Sequence, residues 1–450
     1  MERKNEQYDL TVGPIWKKLL FFFLPIAIGT LFQQLYNTVD AIVVSKFVGK
    51  EALAAVGGSS AQIIALTVGF FVAMTGGASA VISQFVGAER PKEVSESVHS
   101  SIAFSVLAGI GMTIVVFPLI PTVLHWMKTP ADTMEQSILY LRIFFAGSVF
   151  QLLFNMGSSI LRAVGDSKRP LYYLMACCFC NIILDLVFVI GFHMGAGGAA
   201  LATVLSQALS TFLVLRKLCC TNAVYKLTLS RIRIHKNVMK KMFQIGIPAG
   251  IQASLYAISN LIIQVAINTL STTVVAGWTL ASKFDGIYCA LGGALGIAVM
   301  GFVGQNYGAG KLHRVKTTFR ISLAIFGCVT AVMAVAVLWL GKYGSVYFVD
   351  DLQVSTYTWK ILLYYAPFYF IWTFVEVISG VLRGIGDAVI PVIITAVGIC
   401  GVRFIWIGTV FQAFPTIGGI GLCFPVSWFI TAAALTIYYR HGKWLKITEE

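Results

Sequence analysis

The sequence predicts an all-α integral membrane protein with twelve transmembrane helices, arranged as two six-helix repeats. Three observations support this fold class. The chain has 450 residues, of which 58% are hydrophobic and only 12% are charged, whereas soluble domains carry about 25% charged residues. Twelve apolar segments are long enough to cross a hydrocarbon layer of about 30 Å. The same motifs also occur in both halves of the chain, which indicates an internal repeat.

The predicted spans follow one another with short polar connections. Spans longer than 25 residues contain proline or glycine, as at Pro25, Gly69 and Gly292. We therefore expect kinked or tilted helices at those positions. The spans run approximately over 14–44, 52–86, 96–119, 135–162, 169–191, 198–218, 243–270, 274–307, 315–341, 355–383, 388–411 and 419–440.

Lysine and arginine set the predicted orientation. The chain carries 33 of them and a formal net charge of +14, and most lie where the cytosol would be if both termini were inside. The run 216–241 is rich in basic residues and has no acidic one. By the positive-inside rule we expect both termini in the cytosol and the protein in the cytoplasmic (inner) membrane. Because the charges lie between apolar spans, we expect membrane lipids and no nucleic acid as partners.

The two halves of the chain share motifs at a constant offset of 221 residues. LRAVGDSKRP (161–170) matches LRGIGDAVIP (382–391), and ISQFVGAERPKEV (82–94) matches MGFVGQNYGAGKLHRV (300–315). Each repeat has an even number of spans, so both repeats begin on the same side of the membrane. Two lobes related by a pseudo-two-fold axis along the membrane normal, with a cleft between them, are expected. The predicted organisation is a first lobe over 1–218, a basic cytosolic linker over 219–241 and a second lobe over 242–450.

The sequence lacks the motifs of enzymes and of nucleotide-driven pumps. It has no GxxxxGK[ST] phosphate loop and no HExxH zinc motif. The nine cysteines do not form a zinc-binding pattern, and the six histidines fall in loops or near helix ends. A secondary transporter without a cofactor, and most simply a monomer, is the class that remains. A proton relay within its membrane spans would have to use carboxylates.

Four of the 19 acidic residues lie well inside predicted spans: Asp40, Asp185, Asp285 and Glu376. A charge at the bilayer centre costs about 2.5–3.5 kcal/mol on insertion scales, so an intramembrane carboxylate indicates function by default. The alternative is a structural ion pair or a neutral, hydrogen-bonded acid.

The stretch NIILDLVFV (181–189) contains two of the polar residues that interrupt the spans. Asn181 and Asp185 are four residues apart and share one helix face. The predicted topology places Asp40 in the same outer half of the membrane and Thr203 at a similar depth. Two carboxylates, an amide and a hydroxyl at one depth can hold Na⁺ through oxygen ligands. They can equally share a proton, since two carboxylates that lie close together repel when both are ionised. The residues at this depth are therefore compatible with either Na⁺ or H⁺.

The second half does not repeat this set. Asn181 becomes Val402, Asp185 becomes Trp406, and Asp40 aligns with Asn260 through LYNTVD and LYAISN. We therefore expect a single ion site, in the first lobe.

The second half instead carries four charged residues within its spans, which are Lys283, Asp285, Glu376 and Arg403. Lys283 and Asp285 are two residues apart and cannot share a helix face, so we expect their partners elsewhere, with Glu376 as the partner of Lys283. Two interpretations remain open: a structural charge network, or contacts between the cleft and a substrate.

These motifs resemble the multidrug and toxic compound extrusion (MATE) transporters along the whole chain. The resemblance rests on QQLYNTVD, the Q-x-x-G-A turn, LRAVGD/LRGIGD and NIILD, and the last of these is similar to the bacterial branch related to the DNA-damage-inducible export proteins. The resemblance implies an amino-lobe cation or proton site, and a cavity that Tyr36 and Asn155 help to line. The matching site residues are Asp40, Asn181, Asp185 and Thr203; Na⁺, if bound, would lie there.

The predicted function is export of organic cations or amphipathic drugs by alternating access, driven by inward H⁺ or Na⁺, with H⁺ favoured. An alternative is a lipid-linked saccharide flippase of the same superfamily. Such flippases usually need a strongly cationic cavity, and only Lys283 and Arg403 are basic within the spans. The residues expected to line the cavity are Gln33, Tyr36, Asn155, Asn260, Lys283, Asp285, Glu376 and Arg403.

Overall fold

The structure, a computed structural model, describes residues 9–347 and 351–441. Within those two ranges the chain is helical and contains no β-strand. Three short π-helical turns occur, at Leu186–Gly191, Leu340–Gly344 and Ala396–Gly401. An all-α fold is therefore confirmed for the described residues.

Eleven helices of the described chain are long and apolar enough to cross a membrane, and one bent pair of helices makes a twelfth span. The predicted twelve spans are confirmed, with ends that move by a few residues. In chain order, spans 1 to 12 are Ile15–Phe47, Ala54–Gly87, Pro91–Trp126, the pair Ala131–Ala146 and Ser148–Ala163, Lys168–Gly191, Gly195–Cys219, Lys236–Ile267, Thr272–Gly308, Leu312–Gly344, Leu352–Ile385, Val389–Ala413 and Ile417–His441.

The two helices of span 4 are bent by 49° relative to each other. The bend falls at Gly147, between the two helices of the pair. A Cβ atom there would lie 2.4 Å from a methyl group of Val204 on span 6. The absence of a side chain at Gly147 thus lets spans 4 and 6 approach each other. The sequence analysis expected bends at other glycines and at Pro25, and it missed this one.

The described chain forms two compact units. Unit 1 contains Leu24–Gly250, and unit 2 contains Leu10–Phe23 and the described residues from Ile251 onward. Spans 1 and 7 therefore each pass from one unit to the other part-way along their length. Each has a proline close to that point, Pro25 in span 1 and Pro248 in span 7. Proline removes a backbone hydrogen bond inside a helix, so bending is easiest there.

These units differ from the lobes that the sequence suggested. The predicted lobes 1–218 and 242–450 divide at the basic linker 219–241. The boundary between the compact units falls inside spans 1 and 7 instead. In span 1 this is because the side chains of Leu10–Phe23 pack within unit 2. For example, the ring of Phe23 lies 4.7 Å from that of Phe326, in an edge-to-face arrangement. The lobe boundaries at the linker stay a prediction about the repeats.

The repeated LRxxGD motif ends spans 4 and 10 with the same turn. Gly165 and Gly386 have left-handed φ angles of +91° and +96°, which favour glycine. The amide of Asp166 then donates to Leu161 O at 2.9 Å. The Asp166 carboxylate pairs with Arg169 at 2.7 Å.

Candidate functional site

Asn181 and Asp185 lie on one buried face of span 5. Both side chains are 0% exposed. Neither polar atom of the Asn181 amide and neither oxygen of the Asp185 carboxylate has a hydrogen-bond partner. Burying a polar group without a partner costs about 1–3 kcal/mol, and more if the group is charged. A π-helical turn, Leu186–Gly191, follows Asp185 directly, and such turns often occur at functional sites.

Span 1 places Asp40 beside Asp185. Asp40 is 9% exposed, and its side chain lies within hydrogen-bonding range of the Asp185 side chain. Two ionised carboxylates contain only acceptors, so the contact is not a hydrogen bond unless a proton is added. This agrees with the unpaired Oδ1 atom of Asp40 and the unpaired oxygens of Asp185. The structure therefore brings together the two carboxylates that the sequence analysis linked.

Thr203 comes from span 6 and is 6% exposed. Its hydroxyl donates to Ala199 O at 3.0 Å, so its oxygen can only accept from, or coordinate, another group. Span 6 approaches span 5 closely through Gly198, since a Cβ atom there would meet Phe188 at 3.2 Å. Within the described residues, no hydrogen bond joins Thr203 to either carboxylate.

Two tyrosines lie within electrostatic range of the acidic pair. Tyr36, one turn before Asp40 on span 1, interacts with Asp40. Tyr140 on span 4 interacts with both Asp40 and Asp185, and it is buried at 6% exposure. Tyr140 was not among the predicted residues, because one tyrosine in an aromatic-rich span has no sequence pattern of its own. Only the packing of span 4 reveals it.

The other predicted cavity residues of unit 1 do not join this cluster. Gln33 is exposed, although it shares a helix face with Tyr36 and Asp40. The amide of Asn155 donates to Gln151 O in its own helix at 2.8 Å. The described residues also contain no group of three or more His, Cys, Asp or Glu that could hold a metal ion. Any Na⁺ would depend on the mixed oxygen set around Asp40 and Asp185.

In unit 2, Asp285 already has donors. The Tyr369 hydroxyl donates to Asp285 Oδ1 at 2.6 Å, and the Cys289 thiol approaches Oδ2 at 3.6 Å. The Tyr369 ring stacks on Tyr288 at 3.7 Å, which fixes the position of the hydroxyl. Asp285 is thus a hydrogen-bonded acid, unlike Asp185.

Arg403 in unit 2 is held mainly by neutral groups. It is 6% exposed, and it donates to Asn260 Oδ1 and to Ser427 Oγ, both at 3.4 Å. Its guanidinium carbon lies 4.4 Å from the centre of the Phe424 ring, a cation–π contact. Asn260 itself is exposed.

The predicted pairing of Lys283 with Glu376 is wrong. A Glu376 carboxylate oxygen lies 3.7 Å from the Arg383 guanidinium, on the same helix. Lys283 is exposed, and in the part of the chain that the structure describes it has no ion pair. Asp285 and Arg403 lie within electrostatic range of each other, so two of the four charges interact, whereas Glu376 pairs with Arg383 outside this set.

The doubling of the chain also appears in comparisons with known proteins. The family model described as MatE matches residues 25–187 and again 248–407. The two matches together cover well over half of the chain. The chain belongs to the MatE family. It is therefore a membrane transporter and not an enzyme, as its sequence predicted; the narrower branch within the family stays a prediction.

MatE relatives resemble this chain over most of their length. It is 28% identical to "Probable multidrug resistance protein YpnP" of Bacillus subtilis, over 97% of each chain. It is 23% identical to "Multidrug export protein MepA" of Staphylococcus aureus, over 80% of each. A solved structure described as the outward-facing conformation of a multidrug resistance MATE family transporter superimposes with a TM-score of 0.89 and 21% identity, over 100% of both chains. That likeness shows the shared fold.

Proposed function

We propose that this MatE transporter exports organic cations or amphipathic drugs in exchange for protons, with Asp40 and Asp185 as the coupling site. The names of relatives that match nearly the full chain support drug export. One observation supports the coupling site: two buried carboxylates face each other without any donor between them.

A proton is the simplest partner for this pair. When one carboxyl is protonated, its O–H donates to the other, and two opposed acceptors become a hydrogen bond. The proton also removes the repulsion between two like charges in a dry environment. Because the two groups interact strongly, the pair titrates as a unit and not as two independent acids.

Sodium is the competing ion. Na⁺ gains from several fixed oxygens, and the carboxylates, the Asn181 amide and the Thr203 hydroxyl offer such atoms. The hydroxyl hydrogen of Thr203 is used by Ala199, which leaves its oxygen available to a cation. We propose that Na⁺ competes for the same oxygens and that H⁺ drives transport.

The coupling step follows from the change in charge. A proton that enters from outside binds between the two carboxylates, lowers the charge of the pair by one and changes what span 1 packs against near Tyr36 and Asp40. The protonated and fully ionised forms then favour opposite-facing states of the transporter. Drug binding to the ionised form and proton binding to the empty form would alternate, which is antiport.

Reconstituted vesicles test this function. Purified protein would be incorporated into Na⁺-free vesicles, and uptake of a fluorescent organic cation would be followed after a pH gradient is imposed. The proposal predicts transport that stops when the gradient is dissipated. Failure under the pH gradient, with recovery when only a Na⁺ gradient is added, would overturn the proton assignment. Failure with every ion gradient would overturn antiport itself.

We also propose that both termini and the linker 219–241 face the cytosol of the inner membrane. Cys220 in that linker is exposed, so a variant retaining only this cysteine reports the orientation. A membrane-impermeant maleimide should label it in inside-out vesicles and not in intact cells. Equal labelling in intact cells would reverse the assignment.

A further inference from the structure

We propose that His99 is a pH-sensitive latch: its neutral form holds the linker segment 228–235 against span 3, and its protonated form releases it. The linker is the connection between the two repeats, so the latch sets how freely that connection moves. This inference goes beyond the proposed function and does not depend on the identity of the drug or of the coupling ion.

Both ring nitrogens of His99 are occupied. The side chain is 3% exposed, in the first turns of span 3. Nδ1 lies 2.7 Å from Ser95 O, and a carbonyl oxygen can only accept, so Nδ1 must carry the hydrogen. Nε2 accepts the backbone N–H of Thr228 from the linker at 3.1 Å. Only the neutral imidazole with its hydrogen on Nδ1 satisfies both partners.

Protonation removes the bond to the linker. The added hydrogen would sit on Nε2 and point at the N–H of Thr228, so a donor would face a donor. His99 is buried, and therefore little water can accept either hydrogen in place of the lost partner. Movement of Thr228 away from the ring is the simplest way to remove this conflict.

A second histidine, His235, lies in this segment, and its ring also accepts a hydrogen bond. The Arg233 side chain donates through Nε to His235 Nε2 at 3.1 Å, so this nitrogen is also an acceptor. The His235 backbone N–H donates to Ser100 Oγ at 2.9 Å, and that hydroxyl donates to Arg233 O at 3.4 Å. Protonated His235 would place a cation against the Arg233 guanidinium. Protonation of His235 weakens this contact within the linker, but it also adds attraction to Glu96 on span 3, so we assign the acid-induced release to His99 alone.

The charges around the latch are mostly positive. Glu96 lies 3.8 Å from His235 Nδ1, and it is therefore the acid already opposite the second histidine. The last turn of span 2 contributes no charged side chain. The charged and titratable residues on the turn and elements that meet here are Glu89, Arg90, Lys92, Glu93 and Glu96 before and on span 3, Arg216 and Lys217 on span 6, Lys226, Arg231, Arg233 and His235 on the linker, and Lys236, Lys240 and Lys241 on span 7.

Hydrogen–deuterium exchange of the linker tests the latch in the full-length protein. Exchange of the peptide that contains Thr228 would be measured at about pH 7.5 and at about pH 5.5. Rates are corrected for the intrinsic pH dependence of exchange. We expect protection at the higher pH and a loss of about tenfold or more at the lower pH.

Two substitutions of His99 separate the effect of accepting a hydrogen bond from the effect of carrying a positive charge. His99→Gln keeps an acceptor oxygen and cannot titrate, so the linker should stay protected at both pH values. His99→Arg carries only donors, so protection should be lost at both. His313→Gln, at a histidine that also lies near a helix start but is exposed, is the control and should behave as the wild type.

The wild-type protein alone also decides the question, should the variants fail to fold. Nitrogen-15 shifts of the histidine rings report which nitrogen carries the hydrogen. We expect His99 to have its hydrogen on Nδ1 at about pH 7.5. The latch is overturned if the hydrogen is on Nε2, if linker protection does not change with pH, or if His99→Gln loses protection with acid as the wild type does.

Discussion

The two six-span repeats treat the same four positions in opposite ways. In unit 1 these positions hold buried oxygen-bearing side chains, several of them without partners. In unit 2 they hold groups that are apolar or already bonded, such as Trp406, whose indole donates to Gly419 O at 2.6 Å. By the repeat alignment, Asp40, Asn181, Asp185 and Thr203 correspond to Asn260, Val402, Trp406 and Phe424.

The two repeats share one arrangement of helices, but the side chains at their matching positions differ in what they can bind. The acceptors of unit 1 can bind a cation. In unit 2 the cationic side chain of Arg403 instead contacts residues at the corresponding positions. Asn260 accepts from its guanidinium and Phe424 lies under it. A site that must bind and release an ion needs unsatisfied groups, and a site that only supports structure does not. This difference supports our proposal that coupling takes place in unit 1.

The largest expected effect comes from removing either carboxylate of unit 1. Asp40→Asn and Asp185→Asn should each reduce pH-driven export to the background of empty vesicles. An amide keeps the size of the side chain but cannot exchange a proton. The protein should still reach the membrane and fold, because the removed charges have no partner to lose.

Asn260→Ala is the matched control, since Asn260 occupies the position of Asp40 in the other repeat. It should leave pH-driven export near the wild-type rate. If Asn260→Ala blocked export as completely as Asp40→Asn, the single-site comparison would be wrong. Export at the wild-type rate by Asp40→Asn or Asp185→Asn would also contradict the single-site comparison.

The next effect concerns the helix crossings of the two repeats. In unit 1, Thr75 and Ser159 meet through their hydroxyls at 3.1 Å. At the corresponding positions of unit 2 stand Gly296 and Gly380, where a Cβ atom on Gly380 would lie 3.0 Å from Gly296 O. Gly380→Val should therefore lower the stability of the fold by about 1–3 kcal/mol through overpacking, as measured by thermal unfolding in detergent.

Ser159→Ala is the counterpart in unit 1. It removes the hydrogen bonds to Thr75 and to Arg162 without crowding a backbone, so it should cost about 1–3 kcal/mol. A Gly380→Val protein as stable as the wild type would show that the spans of unit 2 do not pack as closely as described here.

A smaller effect is expected at Thr203, where the comparison bears on the choice of ion. Thr203→Val removes one oxygen and keeps the shape of the side chain. Inhibition of pH-driven export by Na⁺ should then need about tenfold more Na⁺, since one of several oxygen ligands is lost. Export in the absence of Na⁺ should stay within about threefold of wild type, a change of less than 1 kcal/mol. Unchanged Na⁺ inhibition would exclude Thr203 from the ion site.

The smallest effect concerns the arginines of the repeated turn. Arg383 pairs with Glu376, whereas Arg162 donates to Ser159 at 3.0 Å and has Asn155 at the position of the glutamate. Because both members of the pair are partly exposed, Glu376→Gln should cost no more than about 1 kcal/mol and should leave pH-driven export intact. A loss of export in this variant would give unit 2 a part in coupling.

Much of the fold could be predicted from the sequence because the bilayer imposes strong constraints. Long apolar segments, and the constant spacing of motifs such as LRAVGD and LRGIGD, were sufficient for twelve spans in two repeats. The division of spans 1 and 7 between the compact units could not be predicted, since it depends on contacts between residues far apart in the chain. The bend at Gly147 depends in the same way on Val204.

The acidic pair was predictable because intramembrane carboxylates are rare and their spacing fixes their helix face. The contribution of Tyr140 was not, since its role comes from the approach of span 4 to spans 1 and 5. The partner of Glu376 was predicted wrongly, because periodicity gives the face of a helix but not which of several cations lies opposite. Gln33 shares a face with Asp40 yet is exposed, since a helix face can extend beyond the buried region.

Infrared spectroscopy of the carboxyl groups tests most directly whether the coupling proton resides on the pair in unit 1. Spectra of the purified protein in Na⁺-free buffer near neutral pH would be compared with those of Asp40→Asn, Asp185→Asn and Asp285→Asn. The account predicts a protonated-carboxyl band that is lost in both unit 1 variants and kept in Asp285→Asn. A band that disappears only in Asp285→Asn, or that neither unit 1 variant changes, would contradict it.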